Sequence, residues 1–490
     1  MSITPTPDAW NADSVARKTF KGALALGVRQ VLAQGANVLG GVLLARLLTP
    51  AEFGLFGIVV FLLGFLLIFG GTGLAANLIR QQEEPDESDY RAVFSVQQVA
   101  VVLLTFVFWL ISPWLSAIYD LPASDAWIFR LVALSLLVTS FMVIPQVRLE
   151  RNLDFDKLAA VEVSQALVFN ATAVILAWQG LGGMSFALAV LFRAIIGALV
   201  ANLVKPWPIR WRWDWPRARA HLNFGLYFQG GQFVSAIRES ITPVFIGLFL
   251  GVAQAGYVTW AGMVAAYPVL VLIILQRVYV PAFARMQTHP EQLGNFVERV
   301  IWATNALVAP LAILTLILIE PLTRLVFGEK WLVALPLFYL LWMANLIVAT
   351  ATPLVGLLNA LGKSRITFGL ACLWMFSMWA FGLPAVYWLG VMGFAVANLL
   401  VLITGNIAVF YFAKESLTLN LFASAYPAWL AASLAGIILF SSLQFWEQPG
   451  IAICLASACG FAGVYLLALV FISGAEIQNI RQIISGRYGT

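Results

Sequence analysis

The chain has 490 residues, 61% of them hydrophobic and only 10% charged, with a net charge of +5 and a mean hydropathy of +0.91. Soluble globular proteins carry about 25% charged residues, so the composition excludes a soluble enzyme and places the work of this chain within or across a membrane. The positive balance is no sign of nucleic-acid binding, because the basic residues sit in short loops beside apolar runs, where they orient a membrane protein and meet anionic lipid.

A helix needs about 20 apolar residues to cross the hydrocarbon core. Backbone in lipid must bond to itself, which leaves helices or closed barrels, and long continuous runs select helices. After a polar arm (1–21), the predicted spans are Gly22–Leu48, Phe53–Ile79, Ala92–Ser112, Ala126–Val147, Leu158–Trp178 and Gly183–Val204. A basic, Trp-rich segment (205–221) follows, then Leu222–Leu250, Gly256–Val278, Val300–Ile319, Leu332–Leu358, Ile366–Trp388 and Val391–Phe412. Leu421–Leu443 and Gly450–Ile472 complete the set, and 473–490 form a tail. Tight turns are expected at Ala51-Glu52 and Gly390, and the longest outward loop at 113–125. The chain therefore reads as an all-α integral membrane protein of about 14 transmembrane helices. No cleavable signal peptide is expected, since the first apolar stretch is too long and follows a polar arm.

Charge asymmetry sets the orientation. Twenty-one of the 28 lysines and arginines lie in the N-terminal arm, in every second loop and in the tail, from Arg17 and Lys18 through Arg148 and Arg151 to Arg277, Arg285, Arg299 and Arg481. The opposite loops hold Arg46, Arg324 and Lys330. Both termini are thus predicted to be cytoplasmic.

The stretch after the central loop resembles the start of the chain. Arg29-Gln30, Leu44 and Phe53-Gly54 overlay Gly231-Gln232, Ile246 and Ala255-Gly256 at a constant offset of 202 residues. Two pseudo-symmetric six-helix lobes are expected, an N-lobe (22–204) and a C-lobe (222–412), around a central cavity, with two further helices (421–472). The linker KPWPIRWRWDWPRAR, with Trp207, Trp211, Trp213 and Trp215, reads as an interfacial segment with rings at headgroup depth.

Charges inside spans are costly, about 2.5–3.5 kcal/mol at a helix centre on insertion scales, and face protein or water. The candidates are Arg29, Arg130, Glu162, Arg193, Arg238 and Glu239, joined by Gln30, Gln34, Asn37 and Gln232. The eighth to fourteenth spans carry essentially no charge between their ends. This interior is net positive, which suits an anionic solute, and guanidinium groups fit phosphate oxygens. Arg29, Arg193 and Arg238 are the expected pyrophosphate contacts, and Arg238 and Glu239, pointing roughly 100° apart, are not expected simply to cancel. Arg130 reads as a snorkelling residue near the outer surface, and Arg193 also suits an ion pair with Glu162. Arg29 lies only about 10 Å from the cytoplasmic end and also suits snorkelling. Glu162 and Glu239, as deep carboxyls, are candidates for ion coupling as well as for plain salt bridges. Cys372, Cys454 and Cys459 read as small apolar residues, and neither a metal site, a cofactor motif nor a catalytic His arrangement is visible.

The stretch LLARLLTPAEFGLFGIV at Leu43–Val59 is similar to the opening signature of Wzx-type polysaccharide flippases. GGTGLAANLIRQ at Gly70–Gln81, RLERNLDFDKLA at Arg148–Ala159, VYVPAFARMQ at Val278–Gln287, EPLTRLVFGEKW at Glu320–Trp331 and LLNALGKSR at Leu357–Arg365 resemble later segments of that family, in order. The resemblance implies membership of the multidrug/oligosaccharidyl-lipid/polysaccharide exporter superfamily. It implies, too, a non-enzymatic flippase of the bacterial inner membrane that moves an undecaprenyl-diphosphate-linked oligosaccharide to the periplasmic leaflet by alternating access. Its partners would be that lipid-linked sugar, membrane lipid, and the polymerase and export machinery of an exopolysaccharide, capsule or O-antigen pathway. Two other readings stay open: a cation-coupled multidrug extruder of the same fold, which calls for an acidic lumen, and a membrane-embedded polymerase or glycosyltransferase, which calls for a sizeable catalytic outer loop.

Overall fold

The computed structural model describes residues 33–69, 78–79, 84–152, 154–217, 219, 233–446 and 450–484, with side chains to 473. Among them, all regular structure is helical. The helices are α1 (33–47), α2 (Pro50–Phe69), α3 (Glu87–Ile118), α4 (Ala126–Ser140), α5 (Val143–Arg151), α6 (Phe155–Trp178) and α7 (Met184–Val204). They continue as α8 (233–239), α9 (Val252–Ala266), α10 (Val271–Met286), α11 (Pro290–Leu322), α12 (Leu335–Ala360), α13 (Ser364–Leu389), α14 (Val391–Ser416), α15 (Leu421–Leu443) and α16 (Ile451–Ile484).

Among the described residues, 12 helical segments are long and apolar enough to cross a membrane, so this is a multi-pass, all-α membrane protein. Its surface agrees. Phe106, Leu110, Tyr387 and Phe471 are 61%, 61%, 82% and 90% exposed, an outward apolar display that suits lipid as solvent. The other two predicted spans, Gly22–Leu48 and Leu222–Leu250, fall partly outside the described residues.

Contacts divide the chain into two units, Met1–Ala236 and Ile237–Thr490. Within the first, α3 packs on α4, and α7 packs on both α4 and α6. The Gln98 amide donates to Ser140 Oγ at 2.7 Å, tying α3 to the end of α4. Within the second, α14 packs on α12 and α13, while α15 lies between α11 and α16. That last contact is bolted by polar bonds: Trp429 Nε1 donates to Asn305 Oδ1 at 2.9 Å, and the Tyr465 hydroxyl donates to the Ala306 carbonyl at 2.6 Å.

Several predicted boundaries are corrected. The first turn lies at Leu48-Thr49, and Ala51 and Glu52 belong to α2. Thr49 N and Oγ1 donate to Glu52 Oε2 at 2.7 and 2.9 Å, and Glu52 N donates back to Thr49 Oγ1 at 3.3 Å. This is a capping box with Pro50 at the first helical position, where its missing N–H costs nothing. The expected outer loop at 113–125 is mostly helix. α3 runs through Pro113 to Ile118, and a 3-10 turn covers Ala123–Asp125. The predicted span Ala126–Val147 breaks at Phe141-Met142, where α5 begins a separate short helix. The eighth span continues well past Val278, bending through a 3-10 turn at Tyr267–Leu270 that contains Pro268. Arg277, Arg285 and Arg299, expected in a loop, are therefore carried on α10 and α11.

Gly390, at φ +60°, is the single residue between α13 and α14. The two helices then run so close that a Cβ on Gly393 would sit 1.9 Å from the Ala385 carbonyl oxygen.

Candidate functional site

The polar site of the second unit starts from a broken helix. Pro243 has no N–H to give the Glu239 carbonyl, and α8 widens into a π-helical turn at Ile241–Ile246. Such turns recur at functional sites because they release backbone groups and re-aim side chains. Here the Ile237 carbonyl accepts Ser240 N at 3.3 Å, Ser240 Oγ at 2.7 Å and Trp379 Nε1, from α13, at 3.0 Å. Arg238 and Glu239 stand beside this break, with Arg238 Nη2 3.1 Å from Glu239 Oε1. The expectation that adjacent residues on a helix would not cancel is thus corrected: two long side chains bridge 100° easily.

Both residues line a cavity of about 650 Å³. Its other polar walls are Gln276 on α10, Asn345 and Asn359 on α12, and Asn398 and Asn406 on α14. Trp374, Met378 and Phe394 supply apolar surface. Asn345 and Asn406 donate their amide nitrogens to the carbonyls of Leu341 and Leu402 in their own helices, at 3.0 and 2.7 Å. That fixes each rotamer and leaves the amide oxygen as the group a ligand meets. The Trp374 indole lies over Gly405, where an added Cβ would come within 1.6 Å of Nε1. The close approach of Gly405 and Trp374 follows one rule of membrane packing, a small residue where two helices meet.

The first unit distributes its polar groups differently. Glu162 on α6 bears electrostatically on Arg193 of α7. Its charge also reaches Glu150, whose carboxyl is pushed up first by burial and then by Glu162. Asn37 accepts a hydrogen bond from Asn170 Nδ2 at 2.9 Å, so part of its amide serves helix packing. Gln34 is half-buried on α1. Arg130 donates to Ser112 Oγ at 2.9 Å, with its guanidinium 4.9 Å from the ring of Trp127 and 5.4 Å from that of Trp109, a cation–π seat. Arg29, Gln30 and Gln232 lie outside the described residues.

The central linker is latched rather than loose. Trp207 is 6% exposed and meets Phe94 edge-on, with ring centroids 5.0 Å apart. Arg217 bonds Asp86 at 3.0 Å and Asp89 at 3.2 Å, and Arg212 donates to Ser88 and Ser95. Asp86 also caps α3 by accepting the Asp89 N–H. That bond first, and Arg217 with it, holds its carboxyl below the ordinary 3.8. Trp211, Trp213 and Trp215 remain exposed.

Among the described residues, no group of three or more His, Cys, Asp or Glu side chains is placed to hold a metal ion. The family profile described as "Polysaccharide biosynthesis protein" matches residues 43–336, more than half of the chain. The chain belongs to that family. Similar relatives include the succinoglycan biosynthesis transport protein ExoT of Rhizobium meliloti, 25% identical over 327 residues, just under two thirds (66%) of each chain. The lipopolysaccharide biosynthesis protein WzxC of Escherichia coli is 22% identical over 72% of each chain. The teichuronic acid biosynthesis protein TuaB of Bacillus subtilis is 24% identical over 83% of this chain and 86% of its own. Among solved structures, the lipid II flippase MurJ superposes with a TM-score of 0.74 at 12% identity, over 94% of this chain and all of that one. A multidrug resistance MATE transporter of the MOP superfamily follows at 0.62 and 15% identity, over 81% of this chain and 95% of its own. This member of the polysaccharide biosynthesis family therefore has the MurJ/MATE fold.

Charge, the signal of the sequence-predicted site residues, does not mark the amides of α12 and α14 in this family member. Their signal was legible for Asn345, Asn398 and Asn406, polar residues within apolar spans, but not for Asn359, which falls just past the predicted Leu332–Leu358.

Proposed function

We propose that this protein is a flippase that moves an undecaprenyl-diphosphate-linked oligosaccharide from the cytoplasmic to the periplasmic leaflet of a bacterial inner membrane by alternating access. It does so as a transporter, with no chemistry on the sugar. The observation that carries this reading is the amide-lined cavity inside a membrane-spanning unit of a polysaccharide biosynthesis protein, a polar space where lipid would otherwise exclude sugar. The transport named for ExoT supports it. The chain comprises two six-helix lobes plus α15 and α16, fourteen spans in all, with both termini cytoplasmic.

Arg29, Arg193 and Arg238 meet the diphosphate, supported by Gln30, Gln34, Asn37 and Gln232. Glu239, 3.1 Å from Arg238, and Glu162, which bears electrostatically on Arg193, are the candidates for ion coupling. The test is reconstitution in proteoliposomes with labelled lipid-linked oligosaccharide. Arg193→Ala and Arg238→Ala are each expected to lower translocation about tenfold or more, as for a lost charge-assisted bond. Unchanged rates in both would remove the diphosphate site. An imposed pH gradient should accelerate wild type but not Glu239→Gln, and an absence of any gradient response would end the coupling proposal.

A further inference from the structure

The charge and chemistry of the second unit's cavity go beyond a phosphate site. Its two charged lining groups, Arg238 and Glu239, meet each other at 3.1 Å. The rest of the polar wall is neutral, made of side-chain amides and threonine hydroxyls. Beyond that pair a ligand meets only uncharged partners, so the space behind it offers no counter-charge to an acidic group.

We infer that this cavity is a saccharide subsite that takes an uncharged, hydroxyl-rich portion of the cargo and sets the sugar preference of transport. The inference rests on the transport reading above. The Asn345 and Asn406 oxygens, held in place by bonds from their own nitrogens to Leu341 and Leu402, accept from sugar hydroxyls without further ordering. Asn398 on α14 and Gln276 on α10 add further amides to the same space. The Trp374 indole, seated over Gly405, offers a flat apolar wall to the C–H face of a pyranose ring. A volume of about 650 Å³ lies within the roughly 300–1,000 Å³ of small-molecule sites. It suits a few sugar rings rather than a polymer. A buried site built to bond hydroxyls discriminates strongly, because a ligand lacking them leaves its amides unpaired.

The experiment uses the full chain in lipid nanodiscs. Its probes are neutral trisaccharides of gluco, galacto and manno configuration and the matching triuronates, with binding read by saturation-transfer NMR and calorimetry. At least one neutral trisaccharide is expected to bind about tenfold tighter than its uronate. Asn345→Leu is expected to weaken that binding about tenfold, the loss of one hydrogen bond with its partner left unmade, and Trp374→Ala to weaken it similarly. Asn398→Leu serves as the second variant should either of these fail to fold. The subsite is overturned if no neutral trisaccharide binds, if the uronates bind better, or if binding is indifferent to all folded variants. Parallel translocation of a labelled lipid-linked neutral glycan separates the two levels. Transport without sugar selectivity at these residues removes the subsite alone, and no transport by wild type removes the flippase reading itself.

Discussion

Gly405 and Trp374 decide the shape of the cavity between them. A methyl at Gly405 would intrude on the indole, with Trp374 Nε1 1.6 Å from the new Cβ. Gly405→Ala should therefore push the ring into the cavity and destabilise the protein by about 1–3 kcal/mol, the usual range for overpacking. Thermal unfolding in detergent measures the loss. Adding Trp374→Leu, which removes the ring that meets the new methyl, should recover most of it. An additive double variant would show that the two residues do not share this space. At this scale the sequence was readable for charge but not for partnership. Arg238 and Glu239 stood out at once, yet only the side-chain conformations show them joined. Asn37 read as a site residue, whereas its bond to Asn170 comes from a helix distant in sequence.

Single elements depend on how their ends are closed. Thr49 and Glu52 satisfy each other's backbone donors at the start of α2, so Thr49→Ala or Glu52→Ala should cost about 1 kcal/mol, read as a lower midpoint of thermal unfolding. The TPAE signature for this cap was already in the sequence. The linker latch has a definite pH sense. Asp86 has its carboxyl depressed below the ordinary 3.8, so it contributes stability above that value and loses it as pH falls through the lower, folded one. Hydrogen exchange across 207–217, taken relative to the intrinsic rate at each pH, should thus stay slow from pH 8 to pH 5 and rise only in stronger acid. Asp86→Asn should raise it at neutral pH. Exchange that rises between pH 7 and 5 would assign the latch to another group.

Across the second unit, α15 and α16 are held to α11 by apolar packing of Trp302, Ala309, Ala431, Ala435 and Phe461 and by the bonds of Trp429 and Tyr465. Polar bonds between helices in membranes average about 0.6 kcal/mol, so packing dominates and the bonds set register. Trp429→Phe with Tyr465→Phe should lower the unfolding midpoint modestly. Removal of the chain beyond Ser416 should cause a severe loss of folded protein, because it strips the buried face of α11. Recovery of the truncated chain at full yield and full stability would show that this face needs no cover.

Apolar run length alone determined that this is a helical, multi-pass membrane protein, because backbone in hydrocarbon must bond to itself and about 20 residues span the core whatever their order. The motif order from Leu43 to Arg365 carried the family, and Gly390 its one-residue turn. Helix overhang and the break at Phe141-Met142 were decided by packing, since extra helical turns at a membrane surface are no more apolar than loops, whereas the π turn after Ser240 has a local cause in Pro243. The tertiary structure alone assembled the amide-walled cavity. Asn345, Asn398, Asn406 and Trp374 belong to three different helices, and no local pattern records which faces of α12, α13 and α14 will meet.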